Sequence, residues 1–235
     1  MKVVGIVGFK KSGKTTLGVA LARALRDMGC RVAVIKHTHD NLDFAATDSR
    51  KYSRYAEMVA AVSGEQTEMI FQGERSLEEL LAWTGEAVVL VEGFKKERTY
   101  PRIVCLRDAG ERETLLKGLE ICTAGFDPDI VDYDIANPDH ILKMAGLVIE
   151  KAFKLPGLDC GACGYESCYD LAGEILQGRK TPDACPCLRP VITLTIDGKR
   201  TDLSEGMNII LRKTVQGMIS GLKGFKRGTV DIEMP

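Results

Sequence analysis

"GFKKSGKT", Gly8–Thr15, decides the fold. It follows "KVVGIV", Lys2–Val7, a valine-rich apolar run that reads as a strand buried on both faces of a parallel sheet. It leads into "KTTLGVALARALRDMG", Lys14–Gly29, where Leu17, Ala20, Leu21, Ala24, Leu25 and Met28 recur at helical spacing and Gly29 supplies the stop. "RVAVIKH", Arg31–His37, is a second strand, so about 35 residues spell one β-α-β unit. The octet matches G-x-x-x-x-G-K-[ST], and strand–loop–helix is the context that gives this pattern meaning. Glycines let main-chain N–H groups turn inward around phosphate oxygens, and the helix N-terminus adds partial positive charge. Lys14 is placed to reach the β- and γ-phosphates and Thr15 to hold Mg²⁺. Gly8, Lys11, Ser12, Gly13 and Thr16 complete the nucleotide-contacting run, with Lys10 and Lys11 adding positive charge.

Such a loop needs a carboxylate at the end of a neighbouring strand to hold magnesium. "VVLVEGF", Val88–Phe94, supplies Glu92 after four apolar residues, where an acid is costly unless a cation or donor meets it. A polar set follows the second strand: His37, His39, Asp40, Asp43 and Asp48. Loops at the C-terminal ends of strands are where α/β sheets bind ligands. His37 and Asp40 are therefore candidates for ligand contact and Asp48 for a place beside Lys14 and Glu92 in the chemistry. No N-K-x-D base-reading motif occurs, which leaves guanine against adenine open at the level of residues.

Further along, "KYSRYAEM" reads as a short helix, "MVAAVSG" and "TEMIF" as two strands, and "SLEELLAW" as a helix with an N-cap serine. "RIVCLR", "LEICTAG" and "DYDIAN" are further strands, and "PDHILKMAGLVIEKAF" an amphipathic helix that closes a first domain near residue 153. "PVITLTIDGKRTDL" reads as a hairpin turning at Asp-Gly, "SEGMNIILRKTVQGMISGLKG" as a helix and "TVDIEM" as a returning strand. Alternating strands and helices predict an α/β, P-loop NTPase fold with a mostly parallel sheet.

The formal net charge of −1 over 235 residues gives no global case for nucleic-acid binding or for attraction to a membrane surface. The N-terminus lacks a signal-peptide pattern and no apolar run approaches the roughly 20 residues of a membrane span, so the expectation is a cytoplasmic protein.

"GIVGFKKSGKTTL", "VAVIKHTHD", "TDS", "VVLVEGFKK" and "YPRIVCLR" occur in that order. Together they resemble the MobB family, the GTP-binding proteins of molybdopterin guanine dinucleotide synthesis, over roughly residues 1–152. The resemblance implies GTP with Mg²⁺, weak GTPase activity, a homodimer and a MobA-type guanylyltransferase partner that joins GMP to molybdopterin, for molybdenum or tungsten enzymes. It places Gly8, Gly13, Lys14, Thr15 and Thr16 around the nucleotide and His37, Asp48 and Glu92 along the site, with Arg102, after "YP", a candidate for an anionic ligand. The family's "GKDS" is here "AATDS", so the Gly-Lys pair is missing from that loop.

Of eight cysteines, Cys30, Cys105 and Cys122 are scattered in apolar settings and read as core. The rest cluster. Cys160, Cys163, Cys168 and Cys185 give C-x2-C-x4-C-x16-C, with Cys187 the competing fourth ligand. Four thiols without a nearby histidine suit a [4Fe–4S] cluster, and Gly161 and Gly164 let main-chain N–H groups approach the sulfides. A structural Zn²⁺ site is the alternative. "CGACGYESCYDLAGEILQGRKTPDACP" is similar to the small iron–sulfur domain of the Rnf complex B subunit and of corrinoid iron–sulfur proteins. The expected organisation is a phosphate-loop domain over 1–152, a four-cysteine iron–sulfur domain over 153–190 and a small α+β tail over 191–235. The cluster module is expected to sense redox state or dock a partner. The competing reading is a nucleotide-gated electron-transfer or metallocentre-loading protein.

Overall fold

The computed structural model describes residues 1–38, 51–53, 55–85, 87–188, 194–196 and 199–201, with isolated positions between 203 and 218. Two compact units divide the chain, Met1–Pro182 and Asp183–Pro235.

The first unit is built on six strands in the order β2-β5-β1-β6-β7-β8: β1 (Lys2–Gly8), β2 (Val32–Lys36), β5 (Val88–Glu92), β6 (Arg102–Cys105), β7 (Glu120–Gly125) and β8 (Tyr133–Asp134). Every pairing is parallel. β5 and β6 flank β1 and are buried throughout, their apolar runs closed by the charged Glu92 in β5 and opened by Arg102 in β6. A separate antiparallel hairpin joins β3 (Met58–Val62) to β4 (Thr67–Phe71).

Helix α1 (Lys14–Asp27) buries Leu17, Gly18, Leu21, Ala24 and Leu25, one stripe at helical spacing. Leu17, Leu21 and Leu25 are fully enclosed, each contributing about 1.5–3 kcal/mol by leaving water. α4 (Pro138–Lys151) packs beside it, started by Asn137, whose side chain accepts the Asp139 N–H, and by proline in the first turn. Together they cover Val4, Ile6, Leu90, Ile103 and Cys105 on one face of the sheet. The opposite face is covered by α2 (Leu77–Leu81) over Val3, Val89 and Val91, and by α3 (Glu111–Leu115) near Val7, Val104 and Leu106. Ser76 caps α2 reciprocally with Glu79.

One expectation is corrected, and one short helix has no counterpart among the expectations. "KYSRYAEM" is helical only at residues 51–52; Tyr55 and Ala56 then donate to the Tyr52 carbonyl in a turn, and Met58 opens β3, because strand pairing with Phe71 captures the segment. α3, at five residues, was absent from the sequence reading: it is too short to show a helical period and is held by the buried Leu115.

After α4 the chain runs extended through Leu155 to Pro156, with the Leu155 N–H on the Thr99 carbonyl at 2.8 Å, and then forms α5 (Cys168–Leu176). Leu155, Leu171 and Ala172 are fully buried, so this segment is anchored within the first unit. In the second unit Cys185 and Cys187 stand on either side of Pro186, which opens a 3₁₀ turn. There β9 (Leu194–Ile196) pairs antiparallel with β10 (Lys199–Thr201). The "TVDIEM" strand lies outside the described residues.

Candidate functional site

The phosphate loop turns by placing two residues in the left-handed region, Lys11 at φ 64° and Gly13 at φ 85°. Gly13 costs little there; Lys11 carries strain of the kind that collects at ligand sites. Both glycines are also fixed by space. A Cβ on Gly8 would stand 2.4 Å from Ser12 Oγ and 2.6 Å from the Cys105 carbonyl; one on Gly13 would meet the Phe126 ring at 2.9 Å. Gly8→Ala is therefore expected to lower the unfolding free energy by about 1–3 kcal/mol, read from a urea midpoint. Gly146→Ala, in α4 with nothing within 4 Å of the added carbon, should be neutral or stabilising. Equal midpoints for the two variants would contradict this loop geometry.

α1 begins with no side-chain cap and no acidic residue in its first turn. Its leading N–H groups thus face the loop, an anion site by dipole and by donor direction. Residues Lys11 to Thr16 and Phe126 line a cavity of about 280 Å³ there. Lys14 Nζ donates to the Phe9 carbonyl at 2.5 Å. Burial lowers the Lys14 pKa, against the opposing pull of Cys105 and Glu92.

Thr15 and Glu92, the residues expected to hold Mg²⁺, stand in contact. Thr15 Oγ1 donates to Glu92 at 3.0 and 3.2 Å to its two oxygens. Glu92 ends β5 and is buried. Lys36, not singled out from the sequence, joins them: its ammonium lies 3.4 Å from Thr15 Oγ1 and 3.5 Å from Glu92 Oε1. The signal for it was the strand end itself, since Lys36 and Glu92 are register partners in adjacent parallel strands. The hydroxyl and the carboxylate are hard oxygen donors that fit Mg²⁺, and the ammonium beside them shows that the spot draws positive charge.

His37 sits beside this pair through its backbone, its N–H on the Glu92 carbonyl at 2.9 Å. Its ring lies 5.0 Å from that of Phe94, and Nε2 is 3.7 Å from Glu74. Gly93, at φ 95°, permits that approach, since a Cβ would stand 3.0 Å from the His37 carbonyl. Asp40 and Asp48 lie outside the described residues. Arg102 is not in the phosphate-loop cavity. It is 4% exposed at the start of β6, on the sheet face opposite α1, with Nη2 on the Glu97 carbonyl at 2.7 Å. Cys105 and Cys122 are core residues, and burial pushes both thiols up to about 12, so they are neutral at physiological pH.

In the cysteine segment, Asp159, Gly161 and Gly164 all take positive φ. Open space lies over Gly164. The Cys168 N–H donates to Asp159 Oδ1 at 2.6 Å, and Ser167 caps α5 reciprocally with Asp170. Cys160 is exposed and Cys163 half-buried. Among the described residues no three His, Cys, Asp or Glu side chains converge at metal distance. The fit to an iron–sulfur group is one of chemistry: thiol donors on a glycine-rich turn, in which the Gly164 N–H donates to the Gly161 carbonyl at 2.9 Å.

Tyr169, next to Cys168, packs within the same compact unit. Its hydroxyl donates to the Lys117 carbonyl and its ring takes the Arg98 guanidinium at 5.3 Å.

The family model described as "MobB: Molybdopterin guanine dinucleotide synthesis protein B" matches residues 3–124, and one described as "Putative Fe-S cluster" matches residues 155–187. The chain is 30% identical over 244 residues to a Methanocaldococcus jannaschii protein named "Putative molybdopterin-guanine dinucleotide biosynthesis adapter protein", covering 100% of this chain and 97% of that one. A Bacillus subtilis protein named "Probable molybdopterin-guanine dinucleotide biosynthesis adapter protein" is 29% identical over 121 residues, 48% of this chain and 69% of its own length. The crystal structure of Bacillus subtilis MobB superposes with a TM-score of 0.54 at 19% identity, covering 63% of this chain and 98% of that chain. A MobB homolog from Bacillus stearothermophilus gives 0.50 at 23% identity, over 64% and 100%. At these identities the two structures establish the shared fold.

Proposed function

The chain belongs to the MobB family and carries an iron–sulfur segment behind that domain, and from that premise we propose that it binds GTP with Mg²⁺ and works with a MobA-type guanylyltransferase in molybdopterin guanine dinucleotide synthesis. The observation that carries this reading is the contact of Thr15 with Glu92 beside an uncapped helix N-terminus and Lys14. Main-chain N–H groups of the loop and the Lys14 ammonium hold the β- and γ-phosphates. Thr15 and Glu92 would hold the metal, which when bound would neutralise charge on the phosphate oxygens. Lys36, 3.5 Å from Glu92 Oε1, would compete with Mg²⁺ for that carboxylate. Hydrolysis by this site is slow, with its water oriented by the polar loop that follows β2, for which Asp48 is the proposed residue.

The test is competition of GTP, ATP and GDP for a fluorescent guanine nucleotide, with and without Mg²⁺. Tighter binding of GTP than ATP supports the reading; equal affinities remove the guanine assignment. Glu92→Gln should leave metal-free affinity within about twofold and abolish most of the gain that Mg²⁺ brings, measured in the same titration. An undiminished Mg²⁺ effect would take Glu92 out of the metal site.

The cysteine segment is proposed to hold a [4Fe–4S] cluster through Cys160, Cys163, Cys168 and Cys185, with Cys187 the alternative fourth ligand and Zn²⁺ the alternative metal. The contacts of Tyr169 with Lys117 and Arg98 support a role that reaches the nucleotide domain, as redox sensor or docking element. The division at residues 152 and 190 is part of this reading; with Ala152, Phe153, Lys154 and Leu155 buried, the boundary at 152 is one of role rather than of separate folding. A homodimer is also proposed. Its support is the β3–β4 hairpin, where Met58, Val62 and Met69 are exposed. Sedimentation equilibrium decides it, and a monomer at micromolar concentration contradicts it.

A further inference from the structure

A second cavity, of about 260 Å³, lies on the sheet face opposite α1. Among the described residues five cations line it and no carboxylate does: Lys95, Lys96, Arg98, Arg102 and Lys117. Among the described residues none of the five is ion-paired. Lys95 rests on the Phe9 ring at 4.6 Å, Arg98 on the Tyr169 ring, and Lys117 Nζ on the Glu113 carbonyl at 3.3 Å. Arg102 is 4% exposed, and its Nε is fully enclosed without a protein partner. An enclosed, unpartnered guanidinium donor is costly, and an anion would offset that cost. Burial lowers the Arg102 pKa, opposed chiefly by Glu120. Glu120 is itself occupied, accepting the N–H groups of Lys117 and Gly118.

The space for this arrangement is built into the strands. Gly5 is the register partner of Arg102, and a Cβ there would stand 2.9 Å from the Tyr100 ring and 3.5 Å from the Arg102 Cβ. A neighbouring cavity of about 600 Å³, beyond Lys96 and Arg98, contains Glu78, Glu97 and Asp159 and is therefore not an anion site.

We propose that the cavity over Arg102 is a second anion site, separate from the phosphate loop, that takes an organic phosphomonoester dianion. Arg102 is its enclosed anchor, and the four remaining cations form its rim. Val7, Phe9 and Leu115 give the organic part an apolar wall. Phe9 belongs to the phosphate loop, and its carbonyl holds Lys14, so the two sites share a residue. Resting on the function proposed above, this gives the acceptor a place. Joining guanylate to an acceptor through a diphosphate requires an acceptor phosphate oxygen to attack the α-phosphorus of GTP while pyrophosphate leaves. The acceptor is thus a phosphomonoester.

The experiment titrates phenyl phosphate, and separately inorganic phosphate, into the full chain saturated with GDP and Mg²⁺, followed by calorimetry. The same titrations are run on Lys14→Ala without nucleotide. Saturable phenyl phosphate binding in both, tighter than that of inorganic phosphate, is expected. Arg102→Met should weaken it at least tenfold. Because that variant touches a buried position, Lys96→Gln/Lys117→Gln serves as the second arm: it should weaken phenyl phosphate at least fivefold and leave GDP affinity unchanged. No saturable binding, no loss in the rim variant, or inorganic phosphate binding as tightly as phenyl phosphate overturns the proposal. Failure here with intact GDP binding leaves the nucleotide reading standing. Failure of GDP to bind sinks that reading, while the Lys14→Ala titration still decides this one.

Discussion

Lys14→Ala should weaken guanine nucleotide binding by about 100-fold while leaving the fold as stable as before, or more so. The two halves have separate causes. The Lys14 ammonium is held by one carbonyl, that of Phe9, and by no carboxylate within ion-pair distance among the described residues. It is partly desolvated, with its pKa lowered by that burial. A phosphate replaces the neutral carbonyl with two charged acceptors, and charge-assisted hydrogen bonds contribute about 1.5–3 kcal/mol each. Two such bonds correspond to about two to four powers of ten in affinity, of which a compensating shift of the loop recovers part. Stability runs the other way. Lys14 is the first residue of α1, where a cation opposes the helix dipole, and alanine is the better helix former. Removing the charge should raise the urea midpoint slightly, by the equivalent of about 0.3–1 kcal/mol. A fluorescent-nucleotide titration and a urea curve on one preparation settle both. A variant that binds normally would show that the ammonium does not face phosphate, and one that unfolds would show Lys14 to be structural.

The same residues show how far the sequence could be read. The strand–loop–helix at Lys2–Asp27 was legible because three signals coincide there: an unbroken apolar strand, glycines at the turn and a helical stripe. The Thr15–Glu92 contact was also legible, since it needs only the end of β5 beside the helix that follows β1, and the parallel pairing of β1 with β5 provides that. Lys36 obeys the same geometry, yet a lysine closing a strand looks like ordinary solubilising charge until its register partner is known to be Glu92. Arg102 shows the opposite limit. Its place after "YP" suggested an anionic ligand, but not which cavity. That depended on strand order, which sets β6 beside β1 and turns Arg102 to the face away from α1. Phe126, which walls the phosphate-loop cavity from beyond β7, carries no local signal at all. The hairpin of β3 and β4 was readable as two strands, while the preceding segment was misread because its fate was set by pairing with residues downstream.

The second large effect concerns the cysteines. Cys168→Ala, prepared and reconstituted anaerobically, should lose essentially all of the iron and the broad visible absorbance that the parent chain acquires. Cys168 is the position where a thiol is most firmly fixed: it begins α5, is buried, and its N–H is held by Asp159. A missing ligand there cannot be replaced by a neighbour without unravelling the Ser167–Asp170 cap. The pair Cys185→Ala and Cys187→Ala then identifies the fourth ligand, since only one of them should behave like Cys168→Ala. Proline 186 separates the two thiols and fixes one backbone angle between them, so they are not interchangeable. A colourless chain holding one zinc per molecule would replace iron with the structural-metal alternative. The variant also tests whether the cluster matters to the nucleotide domain. Tyr169 follows Cys168 directly and holds Lys117 and Arg98. Loss of the cluster should therefore loosen the backbone at Lys117 and the Arg98 side chain, raising main-chain amide exchange around residues 98 and 117, while α1 and the phosphate loop, beside strands buried throughout, exchange as before. Unchanged exchange at residues 98 and 117 would make the cysteine segment a passenger on the fold, and a change in the loop itself would make it a direct regulator of nucleotide binding.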